Sequence, residues 1–261
     1  MNKLTRRDSM FPVKEVAAVG ITGLGKTDNP ITDTGYKFIV REDTDQVLSC
    51  MTNNYKLITN GQILSKADPV LKEKGAKLTD IQMFAGGTRT RWTYRLSDTK
   101  VKVAKDDYLN PEITIVNSYD GSSEASAHGG AFRLVCSNGM IIGYALSKEG
   151  SRHIVWDKSD EIEKIINNVI NKTLKVFDND FPMMIEKAVK KKHVGKAIEM
   201  FPGYVMEQMV QNLLANPPKN YWNLLNNCTW VATHAMKRES ESTHKFESKI
   251  FDTMKKFAAE A

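Results

Sequence analysis

Apolar and polar residues alternate through much of the first half of the chain. They recur at intervals of three and four through the last third. A period of two marks a half-buried strand and a period near 3.6 marks an amphipathic helix. Residues 36–41 (YKFIVR) alternate and predict a strand; residues 46–51 and 55–59 continue as strands, with a bend at Asn53-Asn54. Over residues 61–74 the period changes, and Ile63, Leu64, Ala67, Val70 and Leu71 fall on one helical face. Asn60 is placed to cap that helix, Pro69 to kink it and Gly75 to stop it. Residues 77–84 and 88–96 form the next hairpin, around Ala85-Gly86-Gly87, and residues 100–105 a basic strand or hairpin end.

The sheet is expected to centre on residues 112–146. Residues 113–119 and 131–137 are β-rich runs joined by a glycine- and serine-rich loop at 121–130. Asn138-Gly139 then offers the dipeptide that two-residue type I′ turns prefer, with residues 140–146 as the returning strand. From Ser159 onward Ile162, Ile165, Ile166, Val169, Ile170, Leu174, Phe177 and Phe181 follow a helical stripe, capped by Asp157 or Ser159 and bent at Pro182. A second part, residues 183–192, ends in Lys187, Lys190, Lys191 and Lys192. Helices follow at 204–215, at 221–236 and, from a Ser242 cap, along Phe246, Ile250, Met254 and Phe257. Strand runs followed by helix runs make the fold α+β, an antiparallel sheet built from hairpins in the N-terminal half and packed against long C-terminal helices. Residues 1–35 read as a partly irregular arm. Residues 36–261 read as a single α+β domain, mostly strands with one helix over 36–158 and helical over 159–261.

Composition narrows the setting. With 41% hydrophobic and 26% charged residues among 261, the chain has the make-up of a soluble globular protein with a substantial core. Cys50, Cys136 and Cys228 are too few and too scattered for a disulfide framework, which points to reduced thiols in a host-cell cytoplasm. The N-terminus lacks the apolar core of a signal peptide, and no stretch is long and apolar enough to span a bilayer. A net charge of +6 leans toward an anionic partner, although excess lysine also serves solubility.

The search for chemistry returns little catalysis. Residues 20–27 (GITGLGKT) match the phosphate-loop letters, but that loop needs a buried parallel strand before it and a helix after it. Glu15–Val19 offers a short strand before it, but Asp28-Asn29-Pro30 follows at once with no apolar helical stripe, so a flexible loop is the preferred reading. The histidines are scattered, and Cys228 and His234 lie six apart, which is not zinc-ligand spacing. Asp120, Ser122, Ser123 and His128 cluster in the central loop, where such residues make turns. No catalytic residue, cofactor or metal ligand is assigned. The basic residues carry more. In TRTRWTYRL, residues 88–96, Arg89, Arg91, Thr93 and Arg95 share one face of a strand, alternating with Trp92 and Tyr94. Lys100, Lys102 and Lys105 follow on the adjoining strand, Arg133 lies on the central strand, and Tyr119 is a further aromatic nearby. A positive groove with stacking rings is how single-stranded nucleic acid is held without sequence preference.

Five stretches carry a resemblance: YKFIVREDTDQVLSCMTNNYKLITN (36–60), IVNSYDGSS (115–123), FRLVCSNGM (132–140), the Arg152-His153 pair, and YWNLLNNCTWVATH (221–234) with Asn226 and Thr229. Together they resemble the phage/plasmid-like protein family catalogued as domain of unknown function 932, over about four fifths of the chain. The resemblance implies a bacteriophage, prophage or plasmid origin and brings no established activity; the N-terminal arm departs most from it. The expected function is a phage or mobile-element protein that binds single-stranded DNA and assists recombination or replication, with ring-forming single-strand annealing proteins, which are oligomers, as the fold analogy. The alternatives are a phage effector that inhibits host defence by protein–protein interaction with a host factor, a virion component, and a nucleotide-binding enzyme using residues 20–27.

Overall fold

The computed structural model describes residues 4–21, 31–104, 107–133, 147–151, 159–236 and 240–261. The chain opens on a short helix, α1 (Arg6–Ser9), closed by a capping box. Thr5 Oγ1 accepts the Asp8 amide while the Asp8 carboxylate accepts the Thr5 amide at 2.8 Å. Strands β1 (Val13–Ile21), β2 (Ile31–Arg41) and β3 (Val47–Thr52) then form a three-stranded antiparallel sheet in that order. Residues 1–35, expected as a partly irregular arm, therefore hold a helix and most of a β-hairpin. Most side chains of β1 are exposed, with Ala18 buried, and a strand so sparsely buried leaves little period of two to read.

Helix α2 (Asn60–Glu73) begins one residue earlier than expected, at the residue expected to cap it. Thr59 is the N-cap, accepting from the Gln62 amide at 3.1 Å, while Gln62 Oε1 accepts the Thr59 amide at 2.7 Å. Pro69 is carried inside the helix without ending it, and Gly75 follows with φ +73°, as a helix-terminating glycine does. Residues 55–59, expected as a strand, run into α2 without joining a sheet.

Strands β4 (Ala76–Phe84), β5 (Arg89–Leu96), β6 (Val101–Ala104), β7 (Asp107–Ser118), β8 (Ala125–Arg133) and β9 (Ser147–Ser151) make a six-stranded sheet in the order β4-β5-β7-β8-β9, with β6 paired antiparallel to β7. Strand β8 occupies part of the stretch expected as a loop at 121–130. Its small residues Ala125, Ser126 and Ala127 are buried, so composition that reads as loop serves close packing here. The Asn138-Gly139 turn and the returning strand expected at 140–146 lie outside the described residues.

Helices α3 (Ser159–Lys175), α4 (Phe181–Glu186), α5 (Lys191–Ile198), α6 (Met206–Ala215), α7 (Tyr221–His234) and α8 (Ser240–Ala259) complete the chain. The bend expected at Pro182 is a π-helical turn over Val176–Asp180, with the proline in the first turn of α4 where its missing amide costs nothing. The helix expected at 183–192 divides, ending at Glu186 and restarting at Lys191.

Two compact units interleave along the chain. The first takes Met1–Tyr94, Thr114–Ala127 and Glu149–Asn167; the second takes Arg95–Ile113, His128–Lys148 and Asn168–Ala261. Phe11, Ile39, Leu48 and Tyr119 form one apolar cluster of the first unit. The second unit is built on an aromatic and aliphatic core, with Phe181 meeting Phe177 and Trp222 edge-on at 5.0 and 5.5 Å.

Candidate nucleic-acid interface

Strand β5 has two faces of different character. Thr90, Trp92, Tyr94 and Leu96 are buried, while Arg89 is exposed and Arg91, Thr93 and Arg95 are intermediate between them. On the buried side Trp92 is fully covered and its Nε1–H donates to Ser9 Oγ at 2.9 Å. Tyr94 donates its hydroxyl proton to the buried Asp68 carboxylate, which also pairs with Arg6. Burial, followed by that carboxylate, pushes the Tyr94 phenol well above its usual range. Asn60 ties the side together. Its amide donates to the Ser9 carbonyl at 2.8 Å and to Thr90 Oγ1 at 3.3 Å, and its Oδ1 accepts from Asn117 at 2.8 Å. The Asn60 main-chain N–H donates to the Tyr119 hydroxyl at 3.0 Å. Burial pushes the Tyr119 phenol up to about 12.

This corrects the sequence expectation for the rings. Trp92 and Tyr94, proposed to stack on bases, are 0% and 2% exposed and belong to the core, as does Tyr119. The period of two that turns the arginines outward turns these rings inward.

The outward face has a different aromatic. Phe84, the last residue of β4, is 39% exposed, and the guanidinium carbons of Arg89 and Arg91 lie 5.5 and 5.9 Å from its ring centre. Those are cation–π distances. Its signal in the sequence was its place directly before Ala85-Gly86-Gly87, since a tight turn sets the end of one strand beside the start of the next. That turn is held firmly. Gly87 has φ +106°, and an added Cβ there would lie 2.6 Å from Phe11 Cζ. Arg41 donates to the Gly86 carbonyl at 2.8 Å and stacks its guanidinium 3.9 Å from the Phe11 ring centre.

Arg95, which belongs to the second unit, is a further correction. Its Nε and Nη2 donate to Glu112 Oε1 at 3.0 and 2.8 Å, so its charge is committed to a buried carboxylate. In the same unit Lys100 Nζ lies 4.7 Å from the Tyr108 ring centre, and Lys102 is exposed directly across from Tyr108 in the β6–β7 register. Lys105 and the Arg133 side chain lie outside the described residues.

Other motifs take structural places. Gly20 and Ile21 pair antiparallel with Thr32 and Ile31, so the phosphate-loop letters join two antiparallel strands where that loop requires a strand leading to a helix. Asp120 accepts the Ser122 amide at 2.9 Å, and the Ser118 hydroxyl donates to the Ser123 carbonyl at 2.7 Å, a side-chain-braced turn. Cys228 is fully buried, and burial pushes its thiol up to about 12. Among the described residues, no three His, Cys, Asp or Glu side chains gather as a metal site, and no helix is long and apolar enough to cross a membrane.

Over 101 residues the chain is 31% identical to the UPF0380 protein YafZ of Escherichia coli (strain K12), a stretch covering 36% of this chain and 35% of that protein. No solved structure matches. A profile described as a domain of unknown function, DUF932, matches residues 47–245, which takes in β3, the six-stranded sheet and helices α2 to α7, and the chain belongs to that family.

Proposed function

We propose that this protein binds single-stranded DNA as part of a mobile element's recombination or replication, with Phe84, Arg89 and Arg91 as its contact in the first unit. The observation that supports this reading is an exposed ring with two guanidinium groups drawn up to it. A base with a free face stacks on the ring, a contact worth roughly 1–3 kcal/mol, and the arginines neutralise the flanking phosphates. A paired base in a duplex has no free face, so this surface favours single strands. Lys100 and Lys102 around Tyr108 repeat the combination of cation and ring on a smaller scale in the second unit.

Fluorescence anisotropy with a labelled single-stranded oligonucleotide tests the reading. Affinity should fall steeply with salt and drop on the order of tenfold in the Phe84→Ala variant. Binding that is absent at low salt, or unchanged from the parent in both Phe84→Ala and Arg89→Ala/Arg91→Ala, would dispose of it.

A protein partner is the second reading, favoured by the outer face of the three-stranded sheet. Val16 stands opposite Phe38 and Ala18 opposite Tyr36, and Val16, Tyr36 and Phe38 are all exposed, while Ile39 on the other face is fully buried. A host protein retained by the parent after nuclease treatment and lost in Phe38→Ser would support an effector role.

A further inference from the structure

We propose that the lysine run around α5 is a second nucleic-acid contact, one that takes the phosphate backbone alone and is indifferent to strandedness. The proposal rests on the nucleic-acid reading above for its class of ligand, and on none of the residues around Phe84.

Residues 187–196 (KAVKKKHVGK) contain Lys187, Lys190, Lys191, Lys192 and Lys196 and no acid. One of these lysines is occupied, since Lys190 Nζ donates to the Glu260 carbonyl at 2.7 Å. Lys187, Lys191, Lys192 and Lys196 are exposed, and among the described residues none has a carboxylate within ion-pair distance. On α5, Lys191, Lys192, Gly195 and Lys196 form the solvent side, opposite the buried His193 and Ala197; Glu199 is the acid on that side, at the C-cap. The surroundings of Gly195 are open, with nothing within 4 Å of where a Cβ would sit.

Isolated, this arrangement is unfavourable. Lysines at the cap and first two positions oppose the positive end of the helix dipole, and Lys192 and Lys196 repel each other one turn apart. The first turn has neither an acidic residue nor a side-chain cap. The buried His193 registers the local potential. Its pKa is lowered by burial first and then by Lys192, with Lys190 and Lys196 adding to the effect and Glu260 opposing it. A polyanion would relieve all of these repulsions together.

The chemistry favours a nucleic-acid backbone over an anionic membrane. A helix that lies on a lipid surface presents an apolar face to it, whereas Val194 and Ile198 of α5 pack against the core of the second unit and the exposed side is lysine and glycine up to Glu199. With no ring on that side, the contact has nothing to read a base with, and single and double strands serve equally.

The test uses the full chain with Lys187, Lys191, Lys192 and Lys196 all replaced by Gln, and a variant with the same four replaced by Arg. Each is titrated with one oligonucleotide sequence, single-stranded and as duplex, across a salt series. The Gln variant should lose affinity for both forms on the order of tenfold, and its single-strand salt slope should fall by about 0.7 for each lysine that meets a phosphate. The Arg variant should keep both, showing that charge and not folding is at issue. Phe84→Ala should weaken single strands alone. Unchanged affinity and slope in the Gln variant overturns the lysine contact and leaves the Phe84 reading standing, while loss in Gln with no effect of Phe84→Ala does the reverse. A parent that binds neither form, or that binds phosphatidylserine vesicles through these lysines in preference to DNA, overturns it as well.

Discussion

The two faces of strand β5 are built from the same eight residues and differ in almost everything else. Behind the strand, Thr90, Trp92 and Tyr94 meet Ser9, Asn60 and Asp68, so that every buried polar group named there has a partner. In front, Arg89 and Arg91 stay partly in water around an exposed ring. A buried polar group must be satisfied or it costs about 1–3 kcal/mol. An exposed cation such as Arg89 carries no such requirement. Arg95, on the front of the same strand, has crossed from one condition to the other by pairing with Glu112.

That contrast can be broken most forcefully from behind. Trp92→Ala should cost roughly 3–5 kcal/mol of unfolding free energy, through the lost ring and the Ser9 hydroxyl left without its donor. Chemical denaturation measures it, and a loss under about 1 kcal/mol would show that the back face is not the structural one. Arg95→Ala should cost about 2 kcal/mol because the buried Glu112 carboxylate loses both hydrogen bonds from the guanidinium, with little change in DNA affinity; a binding loss as large as that of Phe84→Ala would put Arg95 back among the contacts. For Phe84→Ala itself the signs reverse, with stability changing by less than about 0.5 kcal/mol while single-strand affinity drops. The four Lys→Gln changes around α5 should be neutral or stabilising by a few tenths of a kcal/mol, since they remove cations from the wrong end of a helix.

The smallest effect concerns pH. The His193 pKa lies below its ordinary 6.5, chiefly through burial. A histidine whose folded pKa is depressed is neutral in both states above its unfolded value. Below that value the unfolded chain takes up the proton first, so stability falls as pH drops from about 6.5 through the lower folded pKa. Denaturant midpoints should decline over that window in the parent and decline less in His193→Gln. An equal decline would mean that other groups carry it.

Much of the architecture was legible because its periods are strong. The alternation in TRTRWTYRL assigned β5 and its outward arginines, and the stripe from Ile162 to Phe181 assigned the long helix. The stretch at 13–21 offered only a short strand at Glu15–Val19, because β1 is held by backbone pairing with most of its side chains in solvent, which leaves little alternation. The early start of β8 was missed because Ala125, Ser126 and Ala127 have the composition of a loop. At the candidate interface the arginines were found and the rings were misassigned. Neighbours in sequence were read as neighbours in space, whereas on a strand adjacent residues face opposite ways.

Sequence alone determined the fold class, the excess of positive charge and which residues of β5 share a face. These follow from local propensity, periodicity and composition, which act over a few residues at a time. The tertiary structure decided which of those charges are available. Glu112 sits 17 residues from Arg95 and neutralises it. Phe84 reaches Arg89 and Arg91 only through the turn between β4 and β5, and Ser9 lies 83 residues from the Trp92 it holds. Such pairings depend on which segments the packed chain brings together, and no local pattern encodes them.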